Sequence, residues 1–125
     1  MTFIVQRDAD LQPYNTMSLA VRANYFTQVK NPQDICEAIA YAHSRQLPVC
    51  VLGGGSNVIF ANDYPGLVVV MANKGMHLLE ESHESVLVNV AAGEVWDEFL
   101  QYCLQQQWYG LENLAIIPGT VGAAP

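Results

Sequence analysis

The chain has 125 residues, of which 51% are apolar and 14% are charged. This length and composition are typical of a globular domain with a buried core, and they exclude a disordered polypeptide. Twelve acidic residues outnumber five basic ones and give a net charge of −7. Nucleic acids and anionic membranes require clustered positive charge, whereas the basic residues here are scattered, so we expect neither partner.

The cysteines and histidines indicate neither a metal site nor a redox pair. Cys36, Cys50 and Cys103 have no metal-ligand spacing, and each lies in an apolar context. We interpret them as small core residues in a reducing compartment, and we expect the three histidines at the surface or in turns. The N-terminal sequence lacks the features of a signal peptide, and the longest apolar run, residues 67–72, is too short to span a bilayer. These observations predict a cytoplasmic protein.

The first part of the chain is predicted to form a βαββ subdomain over residues 1–73. Its predicted elements are, in chain order, a loose lead-in over residues 1–14, a strand over 25–30, a helix from 31 to about 46, a short buried strand over 49–52, a turn over 62–66 and a strand buried on both faces over 67–71. Asn31 is expected to cap the helix, and Pro32 suits the first helical position.

The second part is predicted to be the start of another α+β subdomain, with the boundary after residue 73, so that it covers residues 74–125. Its predicted elements are two antiparallel strands over 77–81 and 86–90, a helix from 94 to about 107, and a tail without a helical pattern over 110–125. Trp96 belongs to the apolar stripe of the helix and is expected to anchor the core. The sequence stops within a run of small residues, which we interpret as a truncated subdomain.

Three consecutive glycines, residues 53–55, directly follow the predicted strand 49–52. Glycines there permit positive φ and close approach of a ligand, and successive amides in such a turn form a nest that suits a diphosphate. Ser56 and Asn57 add a hydroxyl and an amide donor. A dinucleotide-binding G-x-G-x-x-G motif is excluded, because Val58 replaces its third glycine and no helical pattern follows. By itself the run is equally typical of a tight turn between strands.

A second run of small residues occupies positions 118–125. Such a run leaves room for a flat ligand to lie against the main chain, although by itself it is more typical of an ordinary loop. Together with the glycine run it suits a long ligand, with a diphosphate at the first segment and an aromatic ring at the second. The pair of segments therefore predicts a flavin dinucleotide held between two subdomains.

Three motifs carry a family resemblance over nearly the whole chain. Asn15-Thr16, LGGGSNV at 52–58 and GLENLAIIPGTVGAAP at 110–125 resemble, in order and spacing, the UDP-N-acetylenolpyruvoylglucosamine reductases. The resemblance implies an α+β FAD-binding fold of the vanillyl-alcohol-oxidase type (PCMH type), in which two subdomains hold FAD. It also implies a separate substrate-binding domain, for which this chain has no sequence.

The resemblance places cofactor contacts in both small-residue segments. The diphosphate loop corresponds to Leu52, Gly53, Gly54, Gly55, Ser56 and Asn57. The segment that approaches the flavin ring and the rest of the cofactor corresponds to Ile117, Pro118, Gly119, Gly122, Ala123 and Ala124. Some relatives carry serines at the last two positions, so the contacts there are expected to come from the backbone alone.

The implied activity is the FAD-dependent, NADPH-linked reduction of UDP-N-acetylglucosamine enolpyruvate to UDP-N-acetylmuramate in peptidoglycan precursor synthesis. In this family an arginine, a glutamate and a serine carry the chemistry, and all three are expected after the last residue of this chain. Glu112 and Ser56 are not expected to replace them, so no catalytic residue is assigned. The segment alone is therefore expected to be inactive.

Two alternative functions remain open from the sequence. The first is another flavin oxidase or dehydrogenase of the same fold, and no histidine stands at a plausible distance for covalent flavin attachment. The second is a non-catalytic nucleotide-binding module, which would be expected to end at a capped element. The sequence ends without one.

Overall fold

The computed structural model describes residues 3–124 and contains a four-stranded sheet and a two-stranded sheet, each packed against one helix. The elements of the first part are β1 (Gln6–Asp10), β2 (Arg22–Val29), α1 (Pro32–Ser44), β3 (Val49–Leu52) and β4 (Tyr64–Met71). The strand order is β1-β2-β4-β3, with β1 antiparallel to β2 and the other pairs parallel. The subdomain is thus ββαββ, with one strand more than predicted.

The predicted loose lead-in over residues 1–14 is wrong for the described part of that segment. Residues 6–10 form edge strand β1, and Ala9 and Leu11 are buried against the face of the sheet that contains Phe26 and Leu52. The strand was not evident because it is short and polar, and because Asp8 has a φ of +49°, which interrupts the alternation of side chains. Residues 1 and 2 lie outside the described residues.

Helix α1 begins as predicted. The Asn31 side chain accepts a hydrogen bond from the amide of Asp34 at 2.9 Å, and Pro32 occupies the first helical position. Ala38 and Ala42 are buried against β2 and β4, because their small side chains let the helix lie close to the sheet.

Strands β3 and β4 differ in detail from the prediction. Strand β3 was expected to be buried, yet Val51 is 63% exposed, because β3 is the edge strand and α1 packs on β2 and β4. Strand β4 begins within the predicted turn, at Tyr64. An extra residue in β4, opposite Ala23 and Tyr25, forms a bulge that accommodates Pro65, which has no amide hydrogen to donate.

The second part contains the predicted hairpin and helix: β5 (Met76–Glu81), β6 (Val86–Val90) and α2 (Trp96–Gln105). The apolar face of α2 packs on the hairpin, and its buried residues are Trp96, Phe99, Leu100 and Cys103. Trp96 is a core anchor, as predicted. The predicted boundary after residue 73 lies between the two sheets and stays a prediction.

The cysteines are buried to different degrees. Cys103 is buried and Cys50 is half-buried, but Cys36 is exposed, so its assignment to the core was wrong. Burial raises the pKa of the Cys50 and Cys103 thiols. The three histidines are exposed, as expected. Within residues 3–124 no three His, Cys, Asp or Glu side chains cluster as metal ligands would, and no helix is long and apolar enough to cross a membrane.

Candidate functional site

The two small-residue segments lie against each other. A Cβ atom added to Gly54 would lie 3.4 Å from Cα of Gly119, and one added to Gly53 would lie 3.2 Å from Cβ of Ala123 and would collide with Oγ1 of Thr120. The glycine loop (residues 53–57) and the small-residue tract (residues 117–124) therefore meet through main chain and small side chains. We call this contact the glycine seam.

Gly55 fixes the shape of the glycine loop. Its φ is +69°, in the left-handed region that favours glycine, and any Cβ there would collide with the carbonyl oxygen of Tyr14. A larger residue at this position would have to push the loop away from the segment that carries Tyr14. The glycine is required on both conformational and steric grounds.

The segment that contacts the glycine loop, residues 11–19, is held in place by the side chain of Asn15, which is only 5% exposed. Its Nδ2 donates to the carbonyl oxygens of Leu11 at 2.8 Å and Leu19 at 3.2 Å, and its Oδ1 accepts from the amide of Leu19 at 2.8 Å. The amide of Thr16 in turn donates to the carbonyl oxygen of Gly55 at 3.1 Å. The Asn15-Thr16 motif, noticed only through the family resemblance, therefore supports the glycine loop.

The small-residue tract is fixed by backbone hydrogen bonds to residues 92–96, just before α2 and at its start. The amide of Trp96 donates to the carbonyl oxygen of Gly119 at 3.0 Å, and the amide of Val121 donates to that of Glu94 at 2.8 Å. The Glu94 carboxylate also accepts from the amide of Gly75 at 2.7 Å, which ties the tract to the start of β5. The tract is therefore rigidly placed although its side chains are small.

The start of the tract has an unusual backbone. Ile116 has a φ of +64°, which is rare for a β-branched residue, and its side chain is 87% exposed. Its amide donates to Oδ1 of Asp97 at 3.1 Å, and the indole nitrogen of Trp96 donates to the carbonyl oxygen of Leu114 at 2.8 Å. Helix α2 thereby holds the chain in the turn that leads into Ile117 and Pro118.

The glycine seam has hydrogen-bond donors without partners. The amides of Gly54, Gly55 and Ser56 donate to no group within residues 3–124, and neither do the side chains of Ser56 and Asn57. Oγ1 of Thr120 is the buried side-chain polar atom in this range that lacks a partner. Unpaired donors around a bare main-chain surface fit an anionic ligand such as a diphosphate.

Comparison with known families agrees with this chemistry. A family model described as an FAD binding domain matches residues 23–125, and the chain therefore belongs to this family of FAD-binding domains. The predicted PCMH-type FAD-binding fold and FAD as cofactor are confirmed. The assignment of individual residues as cofactor contacts stays a prediction.

Individual relatives confirm the resemblance to the UDP-N-acetylenolpyruvoylglucosamine reductases. Over its whole length the chain is 51% identical to the UDP-N-acetylenolpyruvoylglucosamine reductase of Chromobacterium violaceum and 46% identical to that of Pseudomonas putida, and it spans 37% of the length of each. It also matches the crystal structure of the reductase from Thermus caldophilus with a TM-score of 0.71 and 26% identity, over 97% of this chain and 41% of that one.

Several residues of the site were not predicted. Thr120 lies within the tract but was not among the expected contacts. No sequence pattern indicated that Tyr14 and Glu94 support the site. The one available signal for Thr120 is that it is the single hydroxyl residue in a tract of otherwise apolar and glycine residues.

Proposed function

We propose that the complete protein reduces UDP-N-acetylglucosamine enolpyruvate to UDP-N-acetylmuramate in peptidoglycan precursor synthesis, with FAD as cofactor and NADPH as reductant. The observation that carries the proposal is the contact between the glycine loop and the small-residue tract in a chain that is 51% identical to such a reductase. We place this segment at the FAD-binding end of the enzyme, with residues 1–73 and 74–125 in two subdomains. We place the enzyme in the cytoplasm, where nucleotide-linked substrates are found.

The glycine loop would hold the cofactor's diphosphate. The amides of Gly54, Gly55 and Ser56, together with the side chains of Ser56 and Asn57, supply neutral donors. The loop contains no lysine or arginine. Gly53 and Gly55 keep the loop bare so that a phosphate can approach the main chain, and Leu52 anchors the preceding strand in the core.

The small-residue tract would lie against the remainder of the cofactor, including the ring. Ile117, Pro118 and Gly119 form its first half, and Gly122, Ala123 and Ala124 form its second half. The absence of long side chains leaves backbone groups to contact the polar edge of the ring. When bound, FAD supplies hydride transfer between NADPH and the enolpyruvyl double bond.

The chain contributes no catalytic acid to this scheme. The Glu112 carboxylate accepts a hydrogen bond from the amide of Gly110 at 2.6 Å, which lowers the pKa of Glu112. The carboxylate therefore stays ionised and bound to the backbone of the turn that contains it. Within residues 3–124, the Ser56 hydroxyl forms no hydrogen bond with a side chain that could act as its base. We therefore assign the proton donor and the groups that bind the substrate carboxylate to other parts of the enzyme, and we expect the 125-residue segment alone to show no turnover.

The decisive experiment uses the protein from the complete reading frame. The bound flavin is reduced with NADPH in the absence of oxygen, and UDP-N-acetylglucosamine enolpyruvate is then added while flavin absorbance is followed. Rapid return of the oxidised spectrum is the expected result. A flavin that stays reduced until oxygen is admitted would identify an oxidase of the same fold, and a protein without bound flavin would overturn the proposal.

A further inference from the structure

We infer that the hydroxyl of Thr120 donates a hydrogen bond to the diphosphate of the bound cofactor, a role that rests on the FAD site proposed above. Thr120 is only 9% exposed, and its Oγ1 has no hydrogen-bond partner within residues 3–124. Native proteins seldom leave a buried hydroxyl unpaired, because its lost hydration is not compensated. The partner is therefore expected to arrive with a ligand.

The position of Thr120 indicates which ligand group this is. Oγ1 lies against Gly53, so close that a Cβ on that glycine would collide with it. The glycine loop beside it carries the unpaired amides of Gly54, Gly55 and Ser56. A diphosphate bound to those amides brings acceptor oxygens to the glycine seam, and a hydroxyl is the type of donor that such an oxygen takes.

The main chain at Thr120 is fixed, so only the side chain can adjust. The amides of Trp96 and Val121 form hydrogen bonds on either side of it, and residue 120 forms an isolated bridge with Val95. Rotation about χ1 therefore remains the way for Oγ1 to reach an acceptor in the seam. The hydroxyl would be unpaired without ligand and paired with it, so the hydrogen bond contributes to affinity and not to the stability of the ligand-free protein.

A second buried threonine provides the matched control. Thr27 is 2% exposed, but its Oγ1 already donates to the carbonyl oxygen of Ile4 at 2.8 Å. Valine has the shape of threonine with a methyl group in place of the hydroxyl. Thr27→Val therefore breaks a hydrogen bond within the protein, whereas Thr120→Val removes an unpaired group.

The test measures FAD and ADP affinity and urea unfolding of the ligand-free complete protein for Thr120→Val, Thr120→Ser and Thr27→Val. We expect Thr120→Val to weaken binding of FAD and ADP alike by roughly 10- to 100-fold, as loss of a hydrogen bond to a charged group would. Its ligand-free stability should equal or exceed that of the wild type. Thr120→Ser should bind FAD nearly as the wild type does, and Thr27→Val should lose stability but keep its affinity.

Three results would overturn the inference. Thr120→Val could bind FAD as tightly as the wild type, could lose affinity for FAD but not for ADP, or could lose as much ligand-free stability as Thr27→Val. The proposed function is tested separately, by FAD binding and activity of the wild-type protein. Wild-type protein without FAD would overturn both, whereas an active wild type with an unaffected Thr120→Val variant would overturn this inference alone.

Discussion

The amide of Thr16 donates a hydrogen bond to the carbonyl oxygen of Gly55 over 3.1 Å. This contact joins the N-terminal segment to the glycine loop at the residue whose φ is +69°. The loop conformation is therefore determined by residues far from it in sequence, and not by the glycines alone.

Substitution of Gly55 by alanine should weaken FAD binding at least tenfold and lower stability by about 1–3 kcal/mol. The new Cβ would collide with the carbonyl oxygen of Tyr14, and the positive φ adds backbone strain. Flavin fluorescence titration and urea unfolding measure the two effects. Gly54→Ala is the control for stability, because a Cβ there meets only ordinary contacts from 3.4 Å outward. Equal losses of stability in the two variants would contradict the steric role of Gly55.

Replacement of Asn15 by alanine should cost about 3 kcal/mol of stability. The substitution removes three hydrogen bonds and leaves the carbonyl oxygen of Leu11 without this donor in a buried environment. FAD affinity should fall as well, because the supported loop loses its fixed position. Denaturant unfolding with and without FAD measures both effects. Asn89→Ala, at an exposed position of β6, is the control and should change neither quantity.

The Glu112 turn should make a small contribution to stability that depends on pH. The hydrogen bond from the Gly110 amide lowers the pKa of Glu112 below its ordinary value of 4.5, so the stabilisation is present above that pH and is lost as the pH falls through the lowered pKa. Glu112→Gln should therefore be less stable than the wild type at pH 7, and the difference should shrink below pH 4.5. A difference in urea midpoint that is constant with pH, or one shared by the exposed Glu84→Gln, would argue against this origin.

The three thiols should differ in reactivity in the native protein. Cys36 is exposed, whereas Cys103 is buried and burial raises its pKa, which lowers its thiolate fraction. Brief treatment with iodoacetamide at pH 8, followed by mass spectrometry of peptides, should find Cys36 labelled well before Cys103. Labelling in urea should make the two equal. Faster native labelling of Cys103 would show that the packing of α2 on the hairpin is wrong.

Elements with strong local signals could be predicted from the sequence. Helix α1 has a capping asparagine followed by proline, and α2 has an apolar stripe at helical spacing, so both were located within a few residues. Strand β1 was missed because Asp8 breaks its alternation. The exposure of Val51 could not be predicted, because an apolar run does not reveal that its strand lies at the edge of the sheet.

The site could be predicted only in outline. The two small-residue segments are conspicuous in sequence, and the structure brings them together at Gly54 and Gly119. The support from Asn15 and the unpaired hydroxyl of Thr120 depend on contacts between distant parts of the chain. Such contacts have no local pattern, so they required the folded structure.

Because the glycine loop is neutral, cofactor binding should depend little on ionic strength. A diphosphate held by backbone amides and hydroxyls gains its energy from short, directed hydrogen bonds, which mobile ions hardly screen. The segment itself carries a net charge of −7, so its own side chains add no long-range attraction for an anionic cofactor. Binding through such hydrogen bonds should therefore tolerate high salt.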